Sequence, residues 1–380
     1  MIHKKTGRFQ YPPSLIFVFI GIAFISLTSC CKKHENEDEY LEPVNISNNP
    51  GRSVDPSIAV DSKGTVHLVW ADYTPGDGKE QIFYALKPQS GVWTVPVNVS
   101  NTSVSAKNPS LVVDKEDKLH LAYQQWSGGW VIFYSYQLPS GSWSFPETIS
   151  TGLGDVCPKI DVDYIGSVFM VWYAGGYNGK IYFSMRQVNG TWTLPTTISQ
   201  YGAVGMNPTM AVDIRGNVHV AWDFWDGGHT TNVFYTMRDT IGYWSAPSVI
   251  FAIDSFAFSP VLASDKNGHV HIAWKDSTLI YMYKPPDGNW SAPELPGVGA
   301  SPDAIAIDNN GTVYMSYYGT RLIKKPKDGN WEKPILIVES SGICSSLAID
   351  NEGIKHLTWY STPPDTFDTS EIYYVEVKDY

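Results

Sequence analysis

The chain has 380 residues, of which 43% are hydrophobic and 14% aromatic. This composition can supply a substantial core, so a wholly disordered chain is excluded. The formal net charge of −11 opposes binding to nucleic acid and to other polyanions, and no basic run offsets it. The length allows one large domain or two to three small ones.

The N-terminal residues have the pattern of a secretory signal. Lys4, Lys5 and Arg8 form a positive segment, and an apolar run extends from residue 15 to residue 27. A run of this length suits a signal sequence and is too short for a comfortable membrane span. The sequence therefore predicts a targeting segment at residues 1–29.

The apolar run ends in LTSC, which resembles the lipobox of bacterial lipoproteins. This resemblance implies cleavage before Cys30 and acylation of that cysteine, which would hold the protein at a membrane without spanning it. An ordinary secretory signal followed by a chance cysteine is the alternative. We expect residues 30–40 to form an acidic tether and the protein to be anchored to the bacterial envelope, at the outer membrane, facing the periplasm or the surface.

One short pattern, first seen as PSIAVDSKGTVHLVW, occurs seven times along the rest of the chain. Each copy has an aspartate as its anchor, and successive anchors are separated by 42 to 53 residues, a period typical of a four-stranded propeller blade. Five copies have a histidine six residues after the anchor, and all seven have an aromatic residue nine after it. The anchors are Asp61, Asp114, Asp163, Asp213, Asp265, Asp308 and Asp350.

Each copy divides into four predicted strands, A to D. The apolar stretch before the anchor is strand A, the Asp-x-x-Gly stretch is a tight turn, and strands B and C follow. Strand D follows a Gly-x-Trp-x-x-Pro signature, which occurs six times. The seventh copy stops after strand C, but EPVNIS at residues 42–47 matches VPVNVS at residues 95–100. The sequence predicts an all-β, seven-bladed β-propeller over residues 41–380, closed by its N-terminal strand (velcro).

The turns PKDGNW and PPDGNW resemble degenerate Asp-box (BNR) turns, and residues 41–380 resemble the sialidase-like propeller superfamily. That family implies an arginine two residues before the proline of an inner strand, with two further arginines that clamp the substrate carboxylate. None of the corresponding positions here is arginine, so we do not expect sialidase activity. These positions are Val54, Lys107, Val156, Met206, Phe258 and Ala300.

The repeated histidines lie on separate blades, so they cannot converge on one metal ion. We expect them to have a scaffold role, with the imidazole bonded to a neighbouring blade or a turn. The Asp-x-x-Gly turns lack the dense oxygen ligands of a calcium loop. We therefore expect neither a cofactor nor a metal, and we expect Cys157 and Cys344 to be free, partly buried thiols.

The B–C connections differ most between copies, and in copies 2 to 4 they carry aromatic residues beside glycines. Aromatic rings beside polar groups suit a sugar, because the ring stacks on its C–H face while the polar groups bond its hydroxyls. Packing between loops is the alternative. The predicted ligand-binding residues are Trp126, Trp130, Tyr177, Asn178, Asp223, Trp225, Asp226 and His229.

The sequence predicts a carbohydrate-binding lipoprotein without catalysis, and two alternatives stay open. One is a polysaccharide lyase or glycoside hydrolase, with His229 as base and Tyr173 or Tyr177 as acid. The other is a scaffold for a protein partner in an envelope complex. The expected partners are thus a glycan, a membrane through the lipid anchor and an envelope protein, but not nucleic acid.

Overall fold

The computed structural model describes most of residues 40–378, and every regular element in it is a strand. Cys30 and the rest of the predicted signal and tether lie outside the described residues. In the described part of the chain, no helix is long and apolar enough to cross a membrane. The internal residues that are not described are 74–77, 151, 153, 176–178, 200–203, 226–230, 252–255, 340–341 and 363–368.

The strands form seven antiparallel sheets, one for each copy of the repeat, so the predicted all-β seven-bladed propeller is confirmed. Blade 1 contains β2 (Arg52–Val60), β3 (Val66–Tyr73), β4 (Glu80–Lys87) and β5 (Val97–Asn98). Blade 2 contains β6 (Ala106–Val113), β7 (Leu119–Trp126), β8 (Trp130–Tyr136) and β9 (Glu147–Thr148). Blade 3 contains β10 (Asp155–Val162), β11 (Val168–Ala174), β12 (Lys180–Arg186) and β13 (Thr196–Thr197). Blade 4 contains β14 (Val204–Val212), β15 (Val218–Trp225), β16 (Thr231–Arg238) and β17 (Ser248–Val249).

The last three blades are less regular. Blade 5 contains β18 (Phe258–Ser264), β19 (Val270–Lys275) and β20 (Leu279–Lys284), and its outer strand is reduced to a bridge between Tyr281 and Glu294. Blade 6 contains β21 (Pro302–Ile307), β22 (Val313–Tyr317), β23 (Arg321–Lys325) and β24 (Ile335–Leu336). Blade 7 joins β1 (Val44–Asn45) to β25 (Ile343–Ile349), β26 (Lys355–Ser361) and β27 (Glu371–Val377). In that sheet Val44 lies opposite Tyr374.

The inner strands contact one another in chain order, and β25 of blade 7 contacts β2 of blade 1, so the blades form a ring. Strands alternate in direction within each blade. The B–C and D–A connections therefore share one face of the ring, called the top face below, and the A–B and C–D turns share the other, called the bottom face. The aromatic residue of each strand B is buried, as for Trp70, Trp222 and Trp359.

The repeated histidine links three elements of its own blade, so the predicted scaffold role is confirmed. In blade 4, His219 Nδ1 lies 2.7 Å from the Tyr235 hydroxyl on strand C, and Nε2 lies 3.2 Å from Asp213 in the A–B turn. Burial lowers the pKa of His219 although the bond to Asp213 raises it. Burial raises the pKa of Asp213, but bonds from His219 and Asn217 outweigh this and lower it to about 2. A neutral His219 thus donates from Nε2 to a carboxylate and accepts the Tyr235 proton at Nδ1.

The bond to the tyrosine is present in every blade that has the histidine, whereas the bond to the anchor aspartate is formed in blades 2, 4 and 7. The bonds from Nδ1 to a tyrosine hydroxyl are His67 to Tyr84, His120 to Tyr134, His271 to Tyr281 and His356 to Tyr374, each of 2.7 or 2.8 Å. The tyrosine ring then packs edge-on against the tryptophan of the Gly-x-Trp-x-x-Pro signature in the following blade. Tyr235 of blade 4 packs in this way on Trp290 of blade 5, with ring centroids 5.1 Å apart. These contacts join each blade to the following one.

We predict that His219→Phe removes one histidine's share of the pH dependence of stability. Since the folded-state pKa of His219 is lowered, the unfolded chain takes up a proton first as the pH falls below about 6.5, and the wild type loses stability. The variant lacks this loss, but the Tyr235 hydroxyl loses its acceptor, at a cost of about 1–3 kcal/mol at pH 7. Urea unfolding at pH 7 and pH 5 measures both effects. An equally steep loss in the variant would contradict the assignment.

Candidate functional site

A polar channel of about 480 Å³ runs along the inner strands at the centre of the ring. Five of the residues that line it precede a proline and have positive φ, between 47° and 54°. Each sits at a bulge, where the register of the inner strand shifts against strand B. The five are Asp55, Asn108, Cys157, Asn207 and Ser259. Cys157 is free and half-buried, as predicted, whereas the side chain of Cys344 is not described.

Blade 3 changes the chemistry of the channel at a single position. In four other blades a hydroxyl at this position accepts a backbone N–H of the next inner strand, as Ser57 does from Leu111 at 3.0 Å. Blade 3 has Lys159 there, exposed to the channel, and the half-buried Asp161 accepts the N–H of Val212 instead, at 2.7 Å. Burial raises the pKa of Asp161 to about 6, although the two backbone N–H bonds lower it. Lys159 is therefore not needed for the hydrogen bond that joins this inner strand to the next one.

Asp223 lies in a strand, against the channel-lining residue Asn207, and not in a B–C loop. It is the sixth residue of β15, is 2% exposed, and accepts a bond of 2.7 Å from Asn207 Nδ2. Burial raises its pKa to about 7, against the bonds from Asn207 and the Ser259 backbone. Gln124 has the same place in blade 2, where it accepts from Asn108 at 2.8 Å and from the Cys157 N–H at 2.9 Å. Asp223 therefore braces two bulges of the channel.

We predict that Asp223→Asn gains stability relative to the wild type at high pH. Because the folded-state pKa is raised from about 4 to about 7, the folded protein takes up a proton before the unfolded chain does, and the wild type gains stability as the pH falls from 8 to 5. The variant lacks this gain. The difference between the two proteins should change by an amount on the order of 2 kcal/mol across this range. Denaturant unfolding at pH 8 and pH 5 measures it, and a constant difference would contradict the raised pKa.

Trp126 and Trp130 form the tip of a tight hairpin on the top face of blade 2. They are the last residue of β7 and the first of β8, and they are paired across a three-residue turn in which Gly128 has a φ of 79°. Their rings meet edge-on, with centroids 5.5 Å apart and planes at 79°. The sequence suggested a long loop here. The strands in fact continue to the tryptophans, so the site is held by sheet hydrogen bonds.

A lysine lies against this hairpin. Lys107 Nζ is 4.5 Å from the Trp130 ring centroid and 3.7 Å from a carboxylate oxygen of Glu80. Trp130 is half-buried beneath the lysine, whereas Trp126 is 46% exposed. The hairpin thus presents one open indole, supported by a second ring and bordered by a positive and a negative charge.

Further aromatic side chains are exposed on the same face, on other blades. Trp225 ends β15 and is 41% exposed, and blade 3 separates it from the blade 2 hairpin. Sequence reasoning missed the others, because it selected aromatic residues only in the B–C connections of blades 2 to 4. They are Tyr73, Phe256, Phe258 and Tyr318.

The remaining predicted site residues have different outcomes. Tyr177, Asn178, Asp226 and His229 lie outside the described residues. Tyr173, near the end of β11, is half-buried, and burial raises its pKa. Its ring packs so closely on Gly179 that a Cβ there would lie 2.3 Å from it. The proposed lyase chemistry of these residues stays a prediction.

The arginines are split between the two faces. Arg52 and Arg321 begin strands at the top face, and the Arg321 guanidinium lies 5.9 Å from the Tyr318 ring. Arg186 and Arg238 end strands at the bottom face, and Arg215 lies in a bottom-face turn. Those on the bottom face cannot join the top-face ones around one carboxylate.

Solved structures share this fold at low sequence identity. The superposition on the polysaccharide lyase Uly1 covers 92% of this chain and 94% of that one, with a TM-score of 0.59 and 11% sequence identity. The superposition on a streptogramin B lyase has a TM-score of 0.60 at 12% identity and covers 89% of this chain and 98% of that one. The superposition on the Hadza microbial sialidase Hz136 has a TM-score of 0.50 at 11% identity, and it covers 86% of this chain and 66% of that one. No family model and no curated protein matches the sequence, so these likenesses show the fold alone.

Proposed function

We propose that this protein is a lipid-anchored envelope propeller that binds carbohydrate on its top face, without cleaving it. The anchor would be Cys30, and the binding residues would centre on Trp126, Trp130 and Trp225. The observation that carries the proposal is the exposed indole of Trp126 at the tip of a paired hairpin, where it packs edge-on against Trp130.

The chemistry of the hairpin favours a sugar over a protein partner. A flat indole supplies a C–H stacking surface, while Lys107 and Glu80 lie close enough to bond hydroxyls around it. An interface for a folded protein needs a wide, contiguous apolar centre. The exposed aromatic residues of the top face are instead spread over blades 1, 2, 4, 5 and 6, as would suit successive units of a chain.

The comparisons are compatible with a carbohydrate ligand. Among the similar structures are one of a polysaccharide lyase bound to -[GlcA(1-4)Rha3S]- and one of an α-L-arabinanase from Penicillium chrysogenum complexed with arabinobiose. They supply a reason to test glycans first, and the residues above supply the reason to test blade 2.

Affinity electrophoresis of the full-length protein in detergent, through gels that contain host, plant or algal polysaccharides, tests the proposal. We predict that at least one glycan retards the protein and that Trp126→Ala weakens this binding about 10-fold, or ~1.4 kcal/mol, because the stacking surface is lost. The same mixtures should show neither new reducing ends nor unsaturated products. Either product would support the lyase or hydrolase alternative.

Phe145→Ala is the matched control. Phe145 is an almost fully exposed aromatic residue of the same blade, but it lies on the outer rim away from the top face. We expect this variant to bind as the parent does. Equal weakening by both variants would mean that the hairpin is not the site, and no retardation by any glycan would refute carbohydrate binding in favour of a protein partner.

A further inference from the structure

The bottom face differs in polarity between blades. In blades 3 and 4 its turns present apolar side chains that are between 51% and 79% exposed. We call this set the blade 3–4 patch, and it contains Tyr164, Ile165, Val188, Ile214, Ile241 and Tyr243. Because the blades are copies of one repeat, the other blades show what the scaffold itself requires at these positions.

The scaffold does not require apolar residues there. The two residues after the anchor aspartate are polar or charged in all five other blades, as in Lys115 and Glu116 of blade 2. The residue before the C–D turn glycine, Ile241 in blade 4, is Asp287 in blade 5 and Asp328 in blade 6. Apart from the prolines Pro139 and Pro286, Val92 is the one apolar residue at the matching C–D positions of the other blades. Exposing six apolar side chains brings no folding benefit, so a partner is indicated.

Equivalent contacts show that the patch continues across the blade junction. At the junction of blades 4 and 5, Nη1 and Nη2 of Arg215 donate to the two carboxylate oxygens of Asp287, at 2.6 and 2.8 Å. One junction earlier, Ile165 holds the position of Arg215 and Ile241 holds that of Asp287. Two isoleucines thus stand where the next junction has an ion pair, which places apolar side chains on both sides of the junction between blades 3 and 4.

The patch and the point where the chain enters the propeller lie on opposite sides of the ring. The chain enters beside blades 6 and 7, where Leu41 N donates to Ile337 O at 3.1 Å. Blades 3 and 4 are each three steps from blade 7 around the ring, so the patch lies across the ring from the entry point. Nine residues separate Cys30 from Tyr40. They can span about 30 Å when extended, so the lipid at Cys30 can lie that far from the point of entry.

We propose that the blade 3–4 patch rests on the surface of the bilayer in which the protein is anchored. This inference depends on the lipid anchor of the proposed function. An acylated Cys30 keeps the propeller beside the membrane at a high effective concentration, so a weak apolar contact suffices. Isoleucine, valine and tyrosine suit the boundary between headgroups and acyl chains, and tyrosine is enriched there. Insertion of the patch brings the bottom face to the membrane at blades 3 and 4, leaves the polar turns of blade 6 outside the acyl chains, and turns the tryptophans of the top face outward.

Fluorescent labels at matched positions test the proposal. Ile241→Cys and Asp328→Cys place a thiol at the same turn position of blades 4 and 6. In both variants Cys31, Cys157 and Cys344 are replaced by serine, the residue that blades 5 and 6 have at the equivalents of the latter two, Ser259 and Ser301. The full-length, acylated protein is labelled with an environment-sensitive dye and reconstituted in phosphatidylethanolamine–phosphatidylglycerol vesicles that contain brominated acyl chains.

We predict that the bromines quench the label at position 241 by at least half and leave the label at position 328 nearly unchanged. Equal quenching at both positions, or none at either in protein that floats with the vesicles, would overturn the patch while leaving the anchor intact. Protein that does not float with the vesicles would refute the anchor and the patch together.

A second copy of the chain is the competing occupant. Label at position 241 that self-quenches in detergent, and recovers on dilution with unlabelled protein, would assign the patch to a dimer and overturn the proposal. Glycan binding by the same samples, measured on the gels, separates failure of the patch from failure of the carbohydrate site.

Discussion

The chain of contacts from aspartate to histidine, tyrosine and tryptophan is the constraint on which the ring depends. It begins in the A–B turn, crosses strands B and C through hydrogen bonds, and ends on the outer strand of the following blade. In blades 2, 4 and 7 both ring nitrogens of the histidine have a partner, one the tyrosine and the other the aspartate, so this buried polar group is tolerated. Because the last contact crosses to the next blade, the spacing of blades is fixed by side chains and not only by strand pairing.

Blade 6 shows that these residues act as a unit. Blade 7 takes its outer strand from the start of the chain, and that strand has no Gly-x-Trp-x-x-Pro signature. Without a tryptophan to meet, blade 6 has Leu322 in place of the tyrosine and Tyr314 in place of the histidine, and Leu41 packs against the same cluster. In blade 3 the polar pair becomes Phe169 and Phe183, whose rings still lead to Trp244. The contact to the next blade is retained whenever the tryptophan exists.

The parts of the structure that repeat could be predicted from sequence, because seven copies average out local ambiguity. Strand order, the anchor turns and the scaffold role of the histidines all follow from positions that recur. The candidate site could not be predicted as well, since it consists of departures from the repeat. Whether Trp126 lies in a loop or ends a strand depends on pairing with Trp130 across the turn. The burial of Asp223 depends on an inner-strand bulge of its own blade, at Asn207, and on another in the following blade. Neither of these contacts can be predicted from the residues next to Trp126 or Asp223 in the sequence.

Departures from the repeat are therefore where function is best sought in this protein. Lys159 in the channel, the tryptophan hairpin on the top face and the isoleucines on the bottom face all occupy positions that other blades fill with scaffold or solvent-facing residues. They also fall on blades 2 to 4, whereas the chain enters beside blades 6 and 7. The side of the ring that the N-terminal strand closes is held by that pairing, and the opposite side is free of that constraint. Selection for binding can change the residues of blades 2 to 4 without disturbing the junction that closes the ring.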